Sequence, residues 1–62
     1  MKTKEKYYKI IELQNKRLNL IKKYNEDNII KFENLKSYQI LNSDNEILIE
    51  INNLENQINK II

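Results

Sequence analysis

The chain has 62 residues, a formal net charge of +2 at pH 7, and no cysteine, histidine, tryptophan, glycine or proline. This length allows one small domain, close to the lower limit at which a single core holds a fold. The missing cysteine and histidine exclude disulfides, zinc-finger sites and thiol or imidazole catalysis, and leave carboxylates as candidate ligands for a hard cation. Without glycine or proline little forces a helix to stop, so long helices are expected.

Neither a signal peptide nor a membrane span is expected from the sequence. The opening residues MKTKEKYYKII are charged, and no long apolar run or small-residue cleavage site follows them. No stretch approaches 18 consecutive apolar residues. Together with the absence of cysteine, these features predict a cytoplasmic protein.

Charge is distributed unevenly along the chain. Residues 1–31 contain nine Lys or Arg and four Asp or Glu, whereas residues 32–62 contain two and five, so the halves carry +5 and −3. Opposite charges favour a chain that folds back on itself, or a head-to-tail pairing of two copies. The preference is weak, because exposed ion pairs contribute roughly 0 to 1 kcal/mol each.

A basic amphipathic helix is predicted from about residue 4 to residue 24. With successive residues about 100° apart, its apolar side chains occupy about half of the helix circumference. A face this broad suits a helix that is covered by two neighbours. The residues on it are Tyr7, Ile10, Ile11, Leu13, Leu18, Leu20, Ile21 and Tyr24.

The middle of the chain has no clear period. The run from Asn25 to Asn28 is the first place where a helix could end, because Asn and Asp side chains compete for backbone hydrogen bonds. The apolar residues of the segment at about 28–41 scatter around the helical wheel. This segment is predicted to be a short helix between the other two helices or an irregular crossover.

The last segment, SDNEILIEINNLENQINKII, has the clearest pattern and predicts a helix over about residues 43–61. Ser43 and Glu46 have the S-x-x-E spacing of a capping box. Lys60 near the end is favourably placed for the helix dipole. Alternating spacings of four and three residues predict one narrow apolar seam for packing or for a partner, formed by Ile47, Ile51, Leu54, Ile58 and Ile61.

A β-hairpin is the alternative for this region, because SYQIL and EILIEI could pair across the four-residue turn NSDN. The helix is favoured, since its period continues through residue 61. Such a helix cannot stand alone: burial of five seam residues gives about 8 to 15 kcal/mol, and ordering twenty residues costs about 20 to 40 kcal/mol. The first helix or a second copy of the chain must cover the seam.

One apolar residue of the last helix falls outside the seam. Ile49 lies on the polar face, where a single exposed isoleucine is ordinary. A contact with the middle segment or with another protein would also explain it. Ile49 and its neighbour Glu50 are therefore a possible partner surface.

The sequence contains no recognisable catalytic group. Serine occurs only at positions 37 and 43, without a histidine to act as its base, and the acidic residues fit a solvated helix surface. No metal site and no cofactor are predicted. The basic run KTKEKYYK could contact phosphates and stack on bases, which makes weak nucleic-acid binding an alternative function. A basic helix of this kind could also lie on a membrane surface.

The last helix resembles the second helix of the small sporulation phosphatases that remove phosphate from response-regulator aspartyl phosphate. Those proteins are short antiparallel helical hairpins with an S-Q-x-L-D motif. The matching positions keep the leucine as Leu54 and replace the final aspartate by Glu55. Ile51 and Asn52 depart from the motif, and Asn53 falls at its unspecified position. The resemblance implies a catalytic or positioning role for Glu55, and the departures put that role in doubt.

These patterns predict an all-α protein, either an antiparallel helical hairpin or a small three-helix arrangement, that self-associates into a bundle. The predicted function is that of a small non-enzymatic regulator or adaptor that binds a partner protein through a helix face. The aspartyl-phosphate phosphatase and the weak nucleic-acid binder are the alternatives.

Overall fold

A computed structural model, which describes residues 2–62, shows an antiparallel helical hairpin with no strand in that range. Helix α1 spans Lys2–Asp27. The connection that follows contains a 3-10 turn at Phe32–Asn34 and a short helix α2 at Ser37–Leu41, and helix α3 spans Glu46–Ile61. The predicted all-α hairpin is confirmed, and residues 46–51 are helical instead of forming half of a β-hairpin.

The core lies between α1 and α3 and consists of two adjoining clusters. In the first, Leu13 of α1 packs with Leu54 and Ile58 of α3. In the second, closer to the connection, Tyr24 packs with Leu48 and Ile51, and Ile51 has no exposed surface. This order along the two helices fixes their antiparallel register.

The predicted seam forms most of the inner face of α3. Its members Ile47, Ile51, Leu54, Ile58 and Ile61 are all buried or half-buried. Leu48, which the seam spacing leaves out, is buried as well. The reason is a second neighbour: Phe32 and Leu35 of the connection pack against the cluster that contains Leu48. The inner face of α3 is therefore wider than the sequence predicts.

The start of α3 differs from the prediction. The capping box of Ser43 and Glu46 does not form, because the helix begins at Glu46 and Asn45 is its N-cap. The side-chain oxygen of Asn45 accepts hydrogen bonds from the amides of Ile47 and Leu48, at 2.9 and 3.3 Å. Ser43 Oγ instead accepts from the Asn45 amide at 3.0 Å, which holds the cap residue in place.

Side chains complete the last turn of α1. This helix ends within the predicted break, and its final carbonyl groups lack partners inside the helix. The Asn28 side chain donates to the carbonyl of Tyr24, and Lys31 Nζ donates to the carbonyl of Asn25, both at 2.8 Å. These bonds replace the glycine cap that the composition cannot supply.

The connection between α1 and α3 is long because it uses no left-handed backbone. No residue in the described range 2–62 has a positive φ, so the chain reverses through extended residues such as Lys31 and Leu35. Asn25 organises this path: its side-chain oxygen accepts from the Phe32 amide at 2.7 Å.

Helix α1 is longer than α3 and extends past it. The helices have 26 and 16 residues, or about 39 and 24 Å at 1.5 Å per residue. Because Leu13 packs against Ile58, the first turns of α1 lie beyond the end of α3. The side chains of residues 3–9 are all exposed, and we call this segment the overhang.

Replacing the fully buried Ile51 by alanine should lower the free energy of unfolding by about 2 to 5 kcal/mol, because it leaves a cavity in the tighter cluster. In so small a domain this loss is enough to unfold most of the chain. Urea denaturation followed by circular dichroism measures the change. The control Ile49→Ala should cost much less, and equal losses at the two positions would contradict the packing.

The N-cap of α3 can be tested by mutation. Asn45→Ala should destabilise the protein by about 1 kcal/mol, since two amides at the start of α3 lose their acceptor. Asp44→Ala, at the exposed neighbouring position, is the matched control and should change stability by less than about 0.5 kcal/mol. If the two variants melt at the same temperature, Asn45 is not the cap.

Candidate functional site

The most distinctive feature of the surface is the amount of apolar side chain that the hairpin leaves uncovered. Among residues 3–62, ten large apolar side chains are exposed and six are buried. Single exposed apolar residues are ordinary, but grouped ones mark contact sites. The ten are Tyr7, Tyr8, Ile11, Leu18, Ile29, Ile30, Tyr38, Leu41, Ile49 and Ile62.

One group forms a line along α1. Tyr7, Ile11 and Leu18 fall within about 40° of one another on the helix, at about 100° per residue. They are 64%, 40% and 55% exposed, and we call them the α1 stripe. The stripe lies about a third of a turn away from the side of Leu13 and Tyr24 that α3 covers.

The stripe is the uncovered part of the broad apolar face predicted for this helix. Helix α3 and the connection bury or partly bury the rest of that face, which consists of Ile10, Leu13, Leu20, Ile21 and Tyr24. The sequence predicts a helix with two neighbours, and within the described chain α3 is the only long helix beside it. The stripe is the side on which a second long helix would pack.

A second group lies at the turn end of the hairpin. Ile29 is 97% exposed and Ile30 is 56% exposed, and we call this pair the tip. Both line a shallow depression of about 350 Å³, together with Asp27 and Leu35. The surrounding sequence is acidic: residues 26–46 contain five Asp or Glu and two Lys. The tip is therefore an apolar site in a negatively charged setting.

The possible partner surface predicted on α3 is also accessible. Ile49 and Glu50 are both exposed. Ile49 lies on the side of α3 away from the buried seam, whereas Glu50 lies at the rim of the groove between α1 and α3. Ile49 is the one exposed large apolar residue within α3. An isolated side chain offers less apolar surface than the tip or the α1 stripe.

Glu55, to which the phosphatase resemblance assigns a role, forms an ion pair across the hairpin. Its carboxylate accepts a hydrogen bond from Arg17 Nε at 2.9 Å, and both side chains are partly buried. Asn52 and Glu55 also line a small depression of about 180 Å³ against α2. The pair fastens the middle of α1 to α3, which gives Glu55 a structural role.

A depression of about 440 Å³ lies in the groove between α1 and α3 and has Lys9, Lys16 and Glu50 on its rim. Both lysines pair with Glu12 of the same helix, at 3.5 and 3.6 Å. Within residues 2–62, no three acidic side chains cluster closely enough to hold a metal ion. The groove therefore presents paired surface charges and no arranged set of reactive groups.

Comparisons of the chain with protein-family models, curated proteins and solved structures found no match. The helices in the described part of the chain are too polar or too short to span a bilayer.

Sequence patterns identified the two long helices but not which apolar residues stay exposed. The sequence does not distinguish the α1 stripe from the packing side of the same face, because both belong to one continuous apolar face on the helical wheel. The pair Arg17–Glu55 has no sequence signal, since its members are 38 positions apart. The extreme exposure of Ile29 follows from the path of the connection, which no local period encodes.

The ion pair can be tested with a double-mutant cycle. Arg17→Gln and Glu55→Gln should each destabilise the hairpin modestly, and their coupling energy should be about 0.5 to 1 kcal/mol, as expected for a partly exposed pair. Urea denaturation of the four proteins gives this number. The control cycle uses Arg17→Gln with Glu50→Gln, and a coupling no larger than that control would contradict the pairing.

Proposed function

We propose that the protein is a small cytoplasmic adaptor or regulator that works without catalysis, by binding a partner protein and by associating with a second copy of itself. The observation that carries this proposal is the excess of exposed over buried large apolar side chains among residues 3–62, ten against six. Because 32% of its residues are charged, the chain has enough polar residues to form its surface without grouping apolar side chains there. Grouped apolar residues are instead what a protein contact requires.

The tip is the better of the two surfaces for a foreign partner. Ile29 contributes almost nothing to the core, since 97% of its surface is free. A side chain of this kind can insert into a pocket on another protein, as interface anchors do. The five acidic residues of the segment 26–46 fit a partner whose apolar pocket has a basic rim.

Nucleic-acid binding is less well supported. The lysines of the overhang, Lys4, Lys6 and Lys9, point to different sides of α1 at about 100° per residue. A strand of nucleic acid needs a continuous basic track with aromatic platforms on the same side. Lys9 is also paired with Glu12. Cross-linking to nucleic acid is therefore one of the outcomes of the binding test below.

The phosphatase alternative would act through Glu55. That carboxylate already accepts a hydrogen bond from Arg17, and only the leucine of the phosphatase motif is kept, as Leu54. An ion pair that fastens α1 to α3 accounts for an acid at this position without any activity. The proposal is therefore limited to binding.

The experiment is affinity capture from the source cell with the chain carrying a photo-reactive group on Asn34, beside the tip. We expect the wild-type chain to cross-link a defined protein. The double variant Ile29→Asp, Ile30→Asp should lose at least tenfold of this yield, because a charge would enter the apolar contact. Its unfolding free energy should change by less than about 1 kcal/mol, since neither residue is buried.

Two controls define the outcome. The double change Asn53→Asp, Asn56→Asp adds the same two negative charges at exposed positions of α3 and should leave the yield unchanged. Ile49→Asp tests the other candidate surface. If Ile49→Asp is the only variant that loses cross-linking, the partner binds α3 and not the tip. Equal yields from all variants, or cross-linking to nucleic acid instead of protein, would overturn the proposal.

A further inference from the structure

We infer that the α1 stripe is the contact surface for a second copy of the chain, and that the two α1 helices pack antiparallel. This inference rests on the self-association proposed above and assigns it a surface and an orientation. The starting observation is that α1 has an apolar face for two helical neighbours, while α3 covers one side of it. A second α1 supplies the missing neighbour.

The spacing of the stripe is the first reason to choose a second copy. Together with Gln14, which lies at the edge of the stripe, its residues follow one another as Tyr7, Ile11, Gln14 and Leu18, at intervals of four, three and four residues. This series reads the same in both directions. An antiparallel copy would therefore place Tyr7 opposite Leu18, and Ile11 opposite Gln14, across a two-fold axis. A self-complementary surface of this kind is what a two-fold dimer requires.

The position of charges is the second reason. Helix α1 is strongly basic, yet its charged side chains between residues 7 and 18 lie away from the stripe. Lys9, Glu12 and Lys16 occupy the far side of the helix and pair with one another, and Arg17 is bound to Glu55 on the side of α3. Two stripes can approach without burying an unpaired charge, whose cost would be large.

The charge polarity of the hairpin gives a weak preference for the antiparallel orientation. Residues 2–9, at the overhang end, contain four Lys and one Glu, whereas residues 26–46, at the connection end, contain five acids and two Lys. In the antiparallel register the overhang lies opposite the basic residues 16–23 of the other copy and close to the acidic segment that follows them. Parallel pairing would align both the basic ends and the acidic ends with each other, and it would keep each basic end farther than a Debye length from an acidic end.

A polar residue within the stripe can restrict the register. Gln14 lies between Ile11 and Leu18 on the same side of the helix and is half-buried. Single polar residues inside helix seams are known to specify register and partner number at some cost in stability. In the antiparallel arrangement the two copies of Gln14 lie close to the two-fold axis, within reach of each other.

Sedimentation equilibrium of the purified chain tests the contact surface. We expect a dimer at micromolar to submillimolar concentrations. Leu18→Lys should weaken association by at least tenfold and keep the helical circular dichroism of a folded hairpin, since Leu18 is largely exposed. The matched control is Leu41→Lys in α2, because Leu41 is at least as exposed as Leu18. This variant should dimerise like wild type. A strictly monomeric wild-type chain overturns the inference, as does equal weakening by both variants.

Charge reversal beside the stripe tests the orientation. Lys4 and Lys22 lie on the same flank of the stripe, and in the antiparallel register Lys4 of one copy approaches Lys22 of the other. Lys22→Glu should therefore tighten the dimer about threefold to tenfold, because it replaces two repulsions by two attractions. Lys23→Glu makes the same charge change on the far side of α1 and should tighten it less. No difference between these two variants would rule out the antiparallel arrangement.

A cysteine-free chain also allows a direct check by disulfide formation. Gln14→Cys should cross-link two copies under mild oxidation, because this position lies near the two-fold axis. Thr3→Cys should not, since its two copies would be about 30 Å apart along antiparallel helices, far beyond disulfide reach. Cross-linking at Thr3 would indicate parallel helices and overturn the inference. These measurements use the purified chain alone. A result that overturns the dimer would therefore not change the outcome of partner capture at the tip.

Discussion

The contact between α3 and one side of the α1 apolar face is the interaction on which the rest of the structure depends. It fixes the register of the hairpin through Leu13, Tyr24 and Ile51. It also leaves the α1 stripe and the overhang outside the core. With six buried residues among residues 3–62, a domain of this size is expected to be marginally stable. The uncovered part of the α1 face is apolar area that association with another chain can bury.

The lack of glycine shapes the other end of the molecule. A short loop would need left-handed residues, which cost least as glycine. The chain instead reverses through negative-φ residues, a 3-10 turn and a five-residue helix, with side chains of Asn25, Asn28 and Lys31 completing the end of α1. This longer route leaves the tip exposed. Composition therefore sets the form of the connection and, with it, the exposure of the tip.

The sequence predicts those parts of the fold that depend on local period. The seam from Ile47 to Ile61 repeats every three or four residues, so its helix and its buried side are recognisable. The S-x-x-E spacing of Ser43 and Glu46 favours Ser43 as the N-cap, but serine and asparagine are comparable N-caps, and only the backbone path shows that Asn45 holds the amides. The pair Arg17–Glu55 and the α1 stripe depend on how two distant helices are placed side by side, which no local pattern contains.

Amide hydrogen exchange, measured by NMR over a range of protein concentrations, distinguishes the segment of α1 that packs on α3 from the overhang. Residues 13–24 of α1 and 48–58 of α3 should be the slowest to exchange at every concentration. Protection of the overhang, residues 3–9, should be low in dilute samples and should rise as the concentration increases. Equal protection along all of α1 in dilute samples would contradict the hairpin packing, and protection of the overhang that does not change with concentration would contradict the contact between two copies.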